Sequence, residues 1–426
     1  MKNIIANVRP VVDKRLIPEN KLLSVIDIDE VKFALREQIF DLIINEVKKA
    51  KKQILIQTFA WDKRIRFVQD LRDTLKYIGQ EKLNRGDRDL FHVFILLDEL
   101  GSFAQLLFRR KKPVNWPHGP KDLGLDGLPD NIRIHVGVHH HNGLNSLHSK
   151  TVLIDGHAVI ITGANFQLAN YGPKGNYDAA ILLKGNVTQS AYLDFSNNWR
   201  LRSNASEENI LPINLAENNE TNDITIEEKN KAMVLYLTSQ PRKNYVSRLF
   251  HTKTSEPIND AFITALENAK NIVHIATPNL NEPRIMVMLL DFINKRNGVL
   301  QLILGRGFND KREKWYGGTN EDIVAKLIAG VAPDKRNLLQ IKWYSQDTIN
   351  TDIIHMKFMS IDHRVFIFGS ANLDKLSLRR CYETNIVIDH EGLTIKAIDV
   401  LFKPAWKTSL PIDTNLINNS INCCST

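Results

Sequence analysis

Apolar runs of strand length alternate with helix-period stretches along most of this chain. QILIQTFAW (53–61) is apolar enough for a buried strand and follows an amphipathic, helix-period stretch at 32–50. LFHVFILLD (90–98) predicts a second strand, reached through a helix pattern at 65–83. NIRIHVGV (131–138), KTVLID (150–155) and AVIITG (158–163) continue the series. Strands that alternate with helices predict a layered α/β fold. From about residue 257 the order begins again. AKNIVHIATPNL (269–280) parallels AKKQILIQTFAW (50–61), with Thr277 where Thr58 stood, and GVLQLILGRG (298–307) parallels LFHVFILLD.

Two stretches interrupt the pattern. Residues 203–256 are polar, acidic and Asn-rich, which predicts a linker or excursion around a weak helix, partly disordered. RRKKPVNWPHGPKDLGLDGLPDN (109–131) predicts a long surface loop. Its run Arg109, Arg110, Lys111 and Lys112 is either a solvated basic loop or a membrane contact, with Phe108 and Trp116 entering the interface.

The restart is a true repeat. LHSKTVLIDGHAVIITGAN (147–165) aligns with IHMKFMSIDHRVFIFGSAN (354–372) at one offset of 207 residues. His148 matches His355, Lys150 matches Lys357, Asp155 matches Asp362 and Asn165 matches Asn372. The same offset pairs Phe195 with Phe402 and Trp199 with Trp406, aromatic residues four apart on predicted helices and read as core anchors. The chain therefore divides into an N-terminal segment (1–29), a first half (30–202), the polar linker (203–256), a second half (257–410) and a tail (411–426).

Composition narrows the partners. A chain of 426 residues exceeds one ordinary core, and 43% apolar residues suffice for two. A formal charge of +8 favours anionic partners. The three cysteines, Cys381, Cys423 and Cys424, form neither a disulfide framework nor a Cys-x-x-Cys metal spacing, and Cys381 reads as a packed thiol. The run His139, His140 and His141 lacks partner spacing, so no metal is expected there. The N-terminal apolar run is too short for a secretory signal, and no stretch reaches the ~18 apolar residues of a membrane span. A soluble body is expected.

Strand alternation puts His148, Lys150 and Val152 on one face, and the same holds for His355 and Lys357. If the halves pack about a pseudo-twofold axis, both sets converge on one cleft of two histidines, two lysines and two asparagines. Such a cleft has no acidic metal cage and suits a phosphate directly. Its chemistry would be a two-step split of a phosphodiester. One neutral imidazole attacks phosphorus, and the other, protonated, supplies the leaving alcohol with its proton. Lysine and asparagine donors, Asn165 and Asn372 among them, hold the nonbridging oxygens. Each histidine needs an orienting carboxylate, for which Asp178 (30 residues after His148) and Glu383 (28 after His355) are the candidates.

The doubled H-x-K-x4-D pattern with a following G-S-x-N resembles the phospholipase D superfamily, over nearly the whole chain. The second copy is the fuller one: HMKFMSID, GSANLD, then Ser377 and Glu383. The first departs, with TGAN in place of Gly-Ser and Asn176 opposite Glu383, so that Asp178 takes the acidic role. The resemblance implies two homologous α/β/α/β/α sandwich halves with mixed sheets, one shared active site, and no metal or cofactor. It implies His148, Lys150, Asp155, His355, Lys357 and Asp362 as catalytic residues, with Ser370 joining the asparagines at the phosphate. It also implies His148 as nucleophile and His355 as acid/base, an order the residues themselves leave open.

GSANLDKLS and TPNLNEPRIMVMLLDFI resemble the lipid-acting branch of that superfamily, which includes cardiolipin synthases and bacterial phosphatidylserine synthases. The expected activity is hydrolysis of glycerophospholipids to phosphatidic acid. Transfer of the phosphatidyl group to serine or glycerol is the alternative, ahead of a nuclease or a non-catalytic binding protein. Intact motifs in both halves speak against decay. Two copies in one chain speak against the short one-motif nucleases that dimerise. Phospholipid membranes are the expected partner, with no nucleic acid, and a monomer is expected. The C-terminal NCCST has the outer form of a prenylation box, with Cys423 as acceptor and Cys424 as a second acyl site. Lipidation there would add a host prenyltransferase as a partner and make the chain a secreted bacterial effector anchored to host membranes.

Overall fold

The computed structural model describes residues 2–3, 23–98, 119–139, 146–172, 175–202, 210–216, 230–239, 256–307, 317–344 and 353–412. The basic run at 109–112 with Phe108 and Trp116, His140 and His141, and the tail cysteines Cys423 and Cys424 lie outside the described residues.

The chain opens with β1 (Leu23–Asp27), β2 (Lys32–Leu35), α1 (Gln38–Val47), β3 (Gln53–Thr58), α2 (Arg66–Asn84), β4 (Phe91–Asp98) and β5 (Ile132–His139). It continues through β6 (Ser146–Leu147), β7 (Thr151–Ile154), β8 (Ala158–Thr162), β9 (Ala179–Lys184) and α3 (Val187–Arg200). Then follow β10 (Lys231–Ser239), α4 (Pro257–Glu267), β11 (Ile272–Thr277), α5 (Pro283–Arg296), β12 (Val299–Leu304), α6 (Asn320–Gly330) and β13 (Leu339–Trp343). The last elements are β14 (Phe358–Ile361), β15 (Val365–Gly369), α7 (Lys375–Arg380), β16 (Cys381–Asp389), α8 (Glu391–Ala397), a π turn (Ile398–Phe402), α9 (Lys403–Thr408) and β17 (Leu410–Pro411).

Local sequence explains these boundaries. Every residue of β3 and β7 is buried, as expected for strands covered on both faces. Helix α1 turns Ile39, Phe40, Ile43, Ile44 and Val47 inward at helical spacing. Helix α5 starts at Pro283, whose missing N–H costs nothing there, and ends at Asn297 in the left-handed region (φ 56°).

The strands form two mixed sheets. One runs β2-β9-β8-β7-β3-β4-β5, and the other runs β1-β10-β16-β15-β14-β11-β12-β13-β17 with β6 attached to β16. Seven strands of the second repeat the first in order and direction. The pairs β3–β4–β5 and β11–β12–β13 are parallel, and the remaining matched neighbours are antiparallel. Helices α1 and α2 cover the outer face of the first sheet around Ile43, Phe67, Leu71 and Ile95. Helix α3 and the α8–α9 segment lie in the middle layer, and one core holds both inner faces, from Leu55 and Phe94 to Ile367 and Val387. This is a layered α/β architecture of two homologous halves. Phe195 and Trp199 stack at 5.8 Å, and Phe402 and Trp406 at 5.6 Å, inside that core.

Three expectations need correction. The stretch 32–50 is not one helix, because Lys32–Leu35 forms an edge strand against β9 before α1 begins. The linker 203–256 contains β10, a largely buried strand between β1 and β16, whose apolar run is set among Asn and Glu residues. The N-terminal segment 1–29 contributes β1 to the second half's sheet. The second half is thus completed by strands that precede it in sequence.

Candidate active site

The geometry begins with two exchanged backbone contacts. The His148 N–H donates to the carbonyl of Tyr382 (2.8 Å), and the His355 N–H donates to the carbonyl of Tyr177 (2.9 Å). Strand β6, just before His148, pairs with Cys381 and Tyr382 of β16, and Tyr177 bridges to Ile354, just before His355. The histidine segment of each half is therefore pinned on the other half.

The side chains follow the backbone. His148 Nδ1 lies 2.9 Å from Glu383 Oε1, and His355 Nδ1 lies 2.6 Å from Asp178 Oδ2. Each histidine takes its carboxylate from the opposite half, where sequence proximity had suggested its own. With Nδ1–H donated to the carboxylate, the lone pair of each neutral ring sits on Nε2. Strand register also corrects the alignment at this point. Gly163 N bonds the carbonyl of Ala179, and Ser370 N bonds that of Thr384, so the preceding residues, Asp178 and Glu383, are equivalent. The segment after Asn165 is two residues longer than that after Asn372, which is why a constant offset faced Glu383 with Asn176.

Each acid has its own support. Ser370 Oγ and Ser377 Oγ each donate to Glu383 at 2.5 Å. Asn170 Nδ2 donates to Asp178 Oδ2 at 3.3 Å. Gly163, the counterpart of Ser370, has no room for a side chain: a Cβ there would sit 2.2 Å from Asp178 Oδ1. The departure TGAN is thus the shape that a shorter acid requires. Ser370 is corrected accordingly. Its hydroxyl is committed to Glu383 and also accepts from Thr384 N (3.0 Å), so it buttresses the acid instead of meeting a phosphate.

Asp155 and Asp362 are corrected as well. Both occupy hairpin corners with left-handed backbone (φ 47° and 51°), a conformation that aspartate tolerates. Asp155 accepts from the backbone N–H groups of Lys51, Lys52 and Gln53, and Asp362 from those of Lys270, Asn271 and Ile272. They staple each motif hairpin to the start of β3 or β11. These groups are structural, outside the histidine cluster.

Lys150 and Lys357 are inside it. Lys150 is fully buried and donates from Nζ to the His148 carbonyl at 2.5 Å. Lys357 Nζ bonds the His355 carbonyl and lies 2.9 Å from Nδ1 and 3.2 Å from Nε2 of that ring. Burial, partly offset by Glu383 and Asp178, lowers Lys150 to about 8. Burial lowers Lys357 to about 7, with Asp178 opposing and Lys150 adding to the shift. Burial and the Lys357 charge push His355 down to about 4 against the pull of Asp178. His148 is also lowered, by burial first, with Glu383 opposing. Burial works to raise Glu383, but His148 and Lys150 outweigh it and hold it below its usual value. Each motif's groups feel those of the other, so the two sets form one electrostatic cluster.

Two lysines and two imidazoles crowd one buried place beside the carboxylates of Glu383 and Asp178, and burial disfavours each positive charge there. Asn165 and Asn372 occupy matching positions, each with a buried Oδ1 that has no hydrogen-bond partner among the described residues. Phe59 escaped the sequence reading. Its ring meets His148 edge-on at 5.5 Å and lies 5.8 Å from Lys150 Nζ. Asp194 did too: this buried carboxylate, lifted to about 6 by burial, gathers Gln57, Asn198, Tyr236 and Thr384 beneath the site. Neither residue has a counterpart in the repeat that could have signalled it. Cys381 is buried, and burial drives its thiol pKa well up. His139 is buried against Tyr382, and no group of three or more metal-ligating side chains occurs among the described residues.

Comparison with known proteins adds the following. Residues 262–406 match the family described as "Cardiolipin synthase, PLD-like domain". No curated protein matches the chain. The fold is similar to that of phosphatidylserine synthase from Haemophilus influenzae Rd KW20, with a TM-score of 0.61 at 13% identity over 92% of this chain and 90% of that one. Two other structures are less similar. Polyphosphate kinase from Porphyromonas gingivalis gives a TM-score of 0.47 at 12% identity, over 91% of this chain and 49% of that one. The phospholipase D family member Nuc from Salmonella typhimurium gives 0.30 at 17%, over 42% and 97%. Residues 262–406 thus resemble the PLD-like domain of the cardiolipin synthase family, and nearly the whole chain shares the fold of the solved phosphatidylserine synthase.

Proposed function

We propose that this chain, built on the fold of phosphatidylserine synthase, splits glycerophospholipid phosphodiesters through a phosphohistidine. The observation that carries the reading is the crossed pair of buried histidine–carboxylate contacts, His148–Glu383 and His355–Asp178, with a lysine on each. Nε2 of His148 bonds to phosphorus while the P–O bond to the head-group alcohol breaks. His355, protonated once the anionic ester is bound, gives its proton to that leaving oxygen. It then takes a proton from the incoming water or alcohol, whose oxygen bonds phosphorus as the N–P bond breaks. Glu383 and Asp178 hold the two rings, and Lys150, Lys357, Asn165 and Asn372 face the nonbridging oxygens.

With water as acceptor, the product is phosphatidic acid. A second reading, transfer to an alcohol such as serine or glycerol, is favoured by the names of the two likenesses, both synthases. Labelled phospholipid vesicles, incubated with and without serine or glycerol, separate the two. Phosphatidic acid or a new phospholipid is expected from the wild type and neither from His148→Asn. Cleavage of DNA without lipid turnover overturns the reading. A phospholipid substrate would bring the chain into peripheral contact with membranes. Among the described residues no helix is long and apolar enough to cross one. Lipidation at Cys423 and Cys424 would tighten that contact, and in eukaryotic cells Cys423→Ser should then release the protein from membranes.

A further inference from the structure

The loops that follow β3 and β11 share a backbone path and differ in side chains. At the end of β3, Thr58 Oγ1 donates to the carbonyl of Ala60 (3.2 Å), and at the end of β11, Thr277 Oγ1 donates to that of Asn279 (2.9 Å). Asp62 N then bonds the Phe166 carbonyl (2.7 Å), and Asn281 N bonds that of Leu373 (3.1 Å). The loops correspond residue for residue. Phe59 stands where Pro278 does, Ala60 where Asn279 does, and Gln167 where Asp374 does.

On the first-half side the chemistry is apolar. The Phe59 ring walls His148 and Lys150, and Gln167 bonds Asn170 (3.2 Å). On the second-half side the position of Phe59 is taken by Pro278. Asp374, only 2% exposed, accepts from the amides of Asn372 and Asn279 and from Ser377 N. At the matching positions of the first half, Ala60 carries no polar group and Gln167 bonds Asn170 instead.

We propose that the cleft reads its ester directionally. Phe59 packs against the apolar glycerolipid arm, and the Asn279–Asp374–Asn372 network receives the small polar alcohol at the opposite end. The proposal rests on the lipid reading given under Proposed function. Phe59 and Asn279 are its specificity-determining residues, and Asp374 is a positioning residue that acts through the two amides. Burial of an aromatic-to-acyl contact rewards the apolar arm, while a preorganised buried network discriminates among alcohols by the hydrogen bonds it leaves unpaired.

The test compares two ratios in wild type and variants. The first is kcat/KM for dioctanoyl-phosphatidylcholine over that for bis(p-nitrophenyl) phosphate. The second is transfer to glycerol over hydrolysis. Phe59→Ala is expected to lower the first ratio by about tenfold, and Asn279→Ala, which copies Ala60, the second by about tenfold. Phe59→Leu and Asp374→Asn should move the same ratios in the same directions, so a folding failure of either first variant leaves the test intact. Lipid turnover by the wild type with unmoved ratios, or with the two effects exchanged, overturns this proposal alone. Cleavage of the soluble diester with no phospholipid turnover overturns the lipid reading and this proposal with it.

Discussion

Lys357 sets the stability of the fold against the proposed chemistry. Its folded value of about 7 lies below the 10.5 of an exposed lysine. The unfolded chain therefore binds more protons than the folded one between those values. The group's penalty is complete below about pH 7 and fades as pH rises toward 10.5. Lys357→Met is expected to lower kcat by roughly 100-fold or more. It should also raise the melting temperature, most at pH 6 and little near pH 10, by calorimetry. A variant less stable than wild type at pH 6 would show that Lys357 supports the fold. The contrast with the motif aspartates is instructive. Asp155→Asn replaces one of the two carboxylate oxygens that between them accept from three backbone N–H groups, and is expected to cost about 1–3 kcal/mol of stability, measured by denaturant unfolding. Its kcat per folded molecule should stay within a few-fold of wild type.

At the scale of elements, register decides what the repeat means. Gly163→Ser makes the first copy match the second's Gly-Ser, yet its Cβ would sit 2.2 Å from Asp178 Oδ1. The expected outcome is a loss of activity of at least tenfold, read in the same lipid assay, despite the better motif. Restored or raised activity would refute the equivalence of Asp178 with Glu383. Much of the fold was legible because buried strands such as β3 and β4 are largely apolar runs and the repeat fixes their order. His148, Lys150, His355 and Lys357 were legible for the same reason. What was hidden has physical causes. Strand β10 sits in polar surroundings that mask its apolar run. Asp155 and Asp362 repeat because turns need them, and a repeated structural residue looks like a repeated chemical one. The partnership of His148 with Glu383 spans 235 residues and that of His355 with Asp178 spans 177, distances at which spacing along a chain says nothing.

For the whole molecule, the two sheets share one core and one cleft, and strands β1 and β10 bind the second sheet to chain that comes before it. Neither half can be removed without opening the other's interior and leaving a buried carboxylate without its histidine, a loss on the order of 3–5 kcal/mol for each broken pair. The exchange of acids also sets a timetable. A ribosome makes the chain from its N-terminus, so His148, Lys150 and Asp178 emerge long before Glu383. Until that late residue is released, His148 has no acid beneath it, and Asp178 waits for a histidine still to be made. The crossed histidine–carboxylate pairs are thereby completed only when nearly the whole chain has been made. Nascent chains arrested short of residue 380 should show no lipid turnover, whereas chains released after 412 should show it in full.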